Sequence, residues 1–132
     1  MRKANEIQYF LVGATWGNHD NTNDFTKNGI WKSGFDIKTD KNISVIEKMS
    51  PGDRIAIKRG LGGRNPNISI RAIGIVKGID LTESKAIVYV DWILPKIKNR
   101  TVKSKGCYGT SHGPYLKSKN NDRDWINEAF SL

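Results

Sequence analysis

Ile68–Gly78 reads ISIRAIGIVKG, and the phase of its apolar residues decides the fold. Ile68 and Ile70 keep one alternation, then Ile73 and Ile75 keep the opposite one. Period-two alternation marks a strand with two distinct faces. A one-residue slip near Arg71–Ala72 predicts a β-bulge, the local device that bends a sheet. Gly74 inside the run fits the same bend. Upstream, Arg54–Arg59 alternates as well, with Ile55 and Ile57 on one side and Arg54, Ala56 and Lys58 on the other, which predicts a half-buried strand. Downstream, Ala86–Leu94 (AIVYVDWIL) predicts another strand, ended by Pro95. Ile7–Thr15 (IQYFLVGAT) predicts a buried strand near the N-terminus.

Helical signals are short. Asn23–Asn28 predicts a brief helix capped by Thr22 or Asn23, and Ile43, Ile46 and Met49 share a helical spacing. Ser50-Pro51-Gly52-Asp53 makes a turn, and Trp31 between Gly29 and Gly34 is expected on another. Asp122 is placed to cap a last helix with Trp125, Ile126, Ala129 and Phe130 on one face. Lys96–Lys105 reads as a basic strand or loop. The expected fold is α+β: a small bent sheet or open β-barrel of about five strands flanked by short helices.

The chain has 132 residues, which suits one domain over 1–132. No apolar run approaches the roughly 20 residues of a membrane span, so no membrane partner is expected. Cys107 is the single cysteine, which excludes an intrachain disulfide and suggests a reducing, cytoplasmic setting. The net charge of +9 is concentrated: residues 1–53 are neutral, whereas residues 54–119 carry 14 basic and 3 acidic side chains. Such clustering is the electrostatic footprint of a polyanion partner, here nucleic acid.

Signals of catalysis are weak, and no catalytic residue, metal site or cofactor is expected. GLGGRN (Gly60–Asn65) lacks the Lys-Ser/Thr of a phosphate-binding P-loop and reads as a mobile hairpin loop. Cys107 and His112 have no third orienting group in view, and His19-Asp20 offers two ligands where a metal site needs more. The aromatics say more. Trp92 and Trp125 fall on core positions, whereas Trp16 and Trp31 lie beside glycines among polar residues, where a flat ring can stack on a base.

The order Phe10–Trp16, NHDN (Asn18–Asn21), GIW (Gly29–Trp31) and VDWILPK (Val90–Lys96) resembles YTH domains, of the EVE/YTH branch of the PUA-like superfamily. VGATWG, NGIWKSGF, GDRIAIK and IRAIGIV look still more like the N-terminal module of McrBC-type AAA+ restriction subunits. The resemblance covers about residues 7–95. It implies a PUA-like barrel that flips a modified base out of duplex DNA into an aromatic pocket, as the specificity module of a modification-dependent restriction system with AAA+ and nuclease partners. It further implies Trp31 as a cage wall, Asn21 as the hydrogen-bonding reader of the base edge, Lys32 and Ser33 at the border, and Trp16 and Asn18 at the other rim. The second cage tryptophan of YTH domains has no counterpart in GIDLTESK (Gly78–Lys85), so Trp16, Phe35 or Tyr108 is expected to complete the cage. Methylated adenine, 5-methylcytosine and 5-hydroxymethylcytosine all stay open, as does the alternative of modified RNA on the same pocket. Lys58, Arg59, Arg64, Lys96, Lys98, Arg100, Lys103 and Lys105 are expected on phosphates, which position a complex while the pocket specifies it.

Overall fold

The computed structural model describes residues 5–107 and 109–132. Among the described residues nine strands and three helices form in chain order: β1 (Tyr9–Gly13), β2 (Thr15–Trp16), β3 (His19–Asp20), α1 (Thr22–Asn28), β4 (Ile30–Lys32), α2 (Ile43–Ile46), β5 (Arg54–Gly60), β6 (Asn67–Asp80), β7 (Ile87–Leu94), β8 (Thr101–Lys103), β9 (Ser111–Tyr115) and α3 (Asn120–Phe130). The main sheet runs β4-β7-β6-β5-β1-β9, with β8 on the free part of β6. It is a curled, open half-barrel, and the class is α+β as expected. β1 and β5 are parallel and every other pairing is antiparallel. The crossover between that parallel pair holds α1, β4 and α2.

The bend sits where the isoleucine phase slips. Ile57 pairs with Ala72 and Lys58 with Ile70, which leaves Arg71 bulged out of the ladder. The freed Arg71 carbonyl accepts the Ile97 N–H at 2.8 Å. The extra residue returns Ile73 to the side of Ile68 and Ile70, so all three reach one cluster with Leu11, Trp125, Ile126 and Phe130. Ala72 and Val76 face the opposite cluster, with Phe10, Val12, Trp31, Ile55 and Val88. Gly74 lies where a Cβ would stand 2.8 Å from the Asp91 carbonyl oxygen, closer than side chains tolerate. Glycine therefore lets β6 and β7 approach at the bend.

Several local expectations need correction. Trp31 sits on strand β4 opposite Val88, not on a turn. β5 is not half-buried: α3 and the Cys107 segment pack over its second face, so Ala56 and Lys58 are buried too. Helix α1 is preceded by Asn21, and the Asp20 carboxylate takes the Thr22 N–H at 2.9 Å. Asp122 does not cap α3 but lies in its first turn, ion-paired to Lys105. The basic stretch after Pro95 is mostly loop. Its alternation is broken at Asn99, whose φ of 61° turns the chain out of an extended path.

Candidate nucleic-acid groove

Three clefts adjoin across the C-terminal ends of the parallel pair β1 and β5. The first, of about 200 Å³, is lined by Thr15, Trp16, Gly17, Gly34, Phe35 and Thr110. The second, of about 240 Å³, shares Thr15 and Thr110 and adds Lys58 and Arg59. The third, of about 250 Å³, shares Lys58 and Gly60 and is walled by Leu61, Gly62, Gly63, Asn67 and Cys107. Shared lining residues string them together, with aromatic rings at one end, Lys58 at the centre and a glycine-rich loop at the other end.

The aromatic end is held by hydrogen bonds to the backbone just before Trp16. Gly13 N–H donates to the Thr110 carbonyl at 2.7 Å, and Trp31 Nε1 donates to the Gly13 carbonyl at 2.7 Å. The Ala14 carbonyl accepts both the Asn21 N–H, at 2.9 Å, and the Asn21 side-chain amide, at 3.2 Å. A two-residue hairpin turn then starts on Gly17, whose φ of 59° is free to glycine and strained for other residues. Trp16 packs edge-to-face on Phe25, with ring centroids 5.9 Å apart, and lies under Gly34, where a Cβ would come within 3.1 Å of the indole. Its Nε1 is buried with no hydrogen-bond partner among the described residues. An unmade bond of this kind costs about 1–3 kcal/mol and calls for an explanation. Phe35, across the cleft, is 51% exposed.

The expected pocket residues therefore divide. Trp16 and Phe35 line one cleft, as the resemblance allowed. Trp31 does not: it is 0% exposed and has no open face for a base. Asn21 is also buried and its amide is turned onto Ala14. Ser33 is buried and its hydroxyl donates to Asp40 at 2.6 Å. Asn18 is exposed and Lys32 half-buried, and neither lines a described cleft. Tyr108 lies outside the described residues. What the sequence reading missed is Thr110, which joins the two clefts from the loop before β9; no motif marks it.

The expected phosphate contacts divide as well. Arg59, Arg64, Lys96, Lys98 and Lys103 are exposed. Lys103 pairs with Asn67, which brings the basic arm beside the glycine-rich cleft. Arg59 lies 3.4 Å from the Asp20 carboxylate, a loose surface pair. Thr22 hydrogen bonds, more than Arg59, hold the Asp20 carboxyl below its usual range against the opposing pull of burial. Two basic residues are engaged by contacts within the chain. Arg100 donates to the Ala129 carbonyl at 3.2 Å and the Ser131 carbonyl at 2.7 Å, closing the end of α3. Lys105 pairs with Asp122 and lies 5.5 Å from the centre of the Trp125 ring.

Lys58 differs from all of these. It is nine-tenths buried, and burial pushes its ammonium below the usual lysine range. Cys107 touches the same cleft; burial raises its thiol, and its Sγ lies 2.7 Å from the Tyr115 hydroxyl. That is the setting of an inert thiol, not of a nucleophile. His112 is held below its usual range first by burial and then by Lys58, and its Nε2 accepts the Gly109 N–H at 2.8 Å. No cluster of three or more potential metal ligands occurs among the described residues. No described helix is long and apolar enough to cross a membrane. No family model, curated protein or solved structure matches this chain.

Proposed function

We propose that this chain is a PUA-like nucleic-acid-binding module that takes a modified base, flipped out of duplex DNA, between Trp16 and Phe35. The observation that carries the reading is the aromatic cleft itself: the rings of Trp16 and Phe35 line it, and it shares Thr15 and Thr110 with a second cleft lined by Lys58. Flipping costs a few kcal/mol, and stacking returns about 1–3 kcal/mol per base. A buried methyl group adds up to about 0.8 kcal/mol. Trp31 and Asn21, which resemble base readers, serve here by anchoring the Gly13 and Ala14 carbonyls behind Trp16. The exposed basic residues hold phosphates on either side. In this reading the module supplies specificity to a modification-dependent restriction system, and cleavage and nucleotide hydrolysis reside on other domains or chains.

The test is a set of matched duplexes that differ at one position: unmodified, N6-methyladenine, 5-methylcytosine or 5-hydroxymethylcytosine. One modified duplex is expected to bind up to about 4-fold tighter, the ratio set by one buried methyl group. The same modification in RNA should compete poorly. Tighter binding to the modified RNA would move the reading to an RNA-binding module.

A further inference from the structure

We infer that Lys58 is the core of a built site for one phosphate oxyanion, distinct in kind from the surface lysines around it. The residue alternates with Ile57 onto the face that carries Ala56 and Cys107, so its stem lies among apolar groups. Lys58 nevertheless lines both the second and the third cleft. Among the described residues no carboxylate pairs with it. Asp20, the acid on the neighbouring hairpin, faces Arg59 instead. A partly desolvated ammonium without a counter-charge is disfavoured, and an anionic ligand would relieve that cost. The wall opposite is suited to one: Gly62 and Gly63 both take positive φ, 82° and 58°, and nothing would stand within 4 Å of a Cβ there. Backbone can thus approach the anion closely. The Thr15 and Thr110 saddle links this site to the aromatic cleft, which places one phosphate next to the bound base.

The ligand class rests on the nucleic-acid reading above, but the site is tested without any base. Dimethyl phosphate imitates a backbone diester, and inorganic phosphate imitates a terminal or free phosphate. In the full chain with isotope-labelled lysine, either probe should shift the Lys58 side-chain resonances saturably while Lys96 and Lys98 move little. Preference for dimethyl phosphate assigns the site to a strand interior, and preference for inorganic phosphate assigns it to a strand end or free nucleotide. Lys58→Met should weaken binding of the probe about tenfold or more, the loss of a charge-assisted contact. The same variant should not lower Tm, because it removes a partly desolvated charge that has no counter-ion. Equal shifts at all lysines, or a lower Tm with unchanged probe binding, would overturn the site. A saturable shift at Lys58 in a protein that ignores every base modification would leave the site standing and remove the base reading.

Discussion

Trp31 and Trp16 stand fifteen positions apart with similar neighbours, yet their environments differ sharply. Trp31 is enclosed because β4 pairs with β7, which sets its ring in the cluster of Phe10, Ile55 and Val88. Trp16 stands at the end of a hairpin with Gly34 above it and an open cleft beside it. Local sequence could not separate them, since the cover on Trp31 comes from residues 55 and 88. Trp31→Phe keeps a ring in the core but strips the donor from the Gly13 carbonyl. It should lower unfolding free energy by about 1–3 kcal/mol in a denaturant titration and leave the modified-to-unmodified affinity ratio unchanged. Loss of that ratio in a folded Trp31→Phe protein would return Trp31 to the base-contacting wall.

The long strand β6 was legible because alternation is imposed by backbone geometry, and a slip of one residue has one simple structural outlet. Strand β9 was not legible. Its sequence, SHGPY, has poor strand propensity and forms because β1 offers an unpaired edge. The connection into β9 is closed by His112 Nε2 accepting the Gly109 N–H. That bond needs an unprotonated Nε2, and burial and Lys58 both resist protonation. The folded pKa is depressed, so the folded state binds fewer protons than the unfolded chain between the two values. The stabilising contribution is present above about pH 6.5 and is lost as the pH falls toward the folded value. Wild-type Tm should therefore drop more steeply below pH 6.5 than that of His112→Gln, whose amide oxygen can still accept from Gly109. Superimposable profiles would show that His112 titrates freely in the fold.

In the proposed reading, the whole molecule separates affinity from selectivity. The neutral first 53 residues supply Thr15, Trp16 and Phe35, and the basic middle supplies Lys58, Arg59, Arg64 and the arm beyond Pro95. With Arg100 and Lys105 engaged on α3, about four to six basic residues remain for phosphates, and log K should fall with log salt at a slope of about −3.5 to −5.5. A slope near −1, measured by anisotropy over a salt series, would make the charge a matter of solubility alone. The uneven charge on which this proposed division rests was visible in the sequence. The groove that unites the two halves was not, because Thr110 and the burial of Lys58 depend on how β9 closes against β1. The most direct measurement is the ratio of affinities for modified and unmodified duplex in wild type and in Phe35→Ala, a change at a 51% exposed ring that spares the core. The account predicts a preference for one modification in wild type that falls to near unity in the variant. Equal affinity for every duplex in wild type, or an undiminished preference in Phe35→Ala, would contradict it.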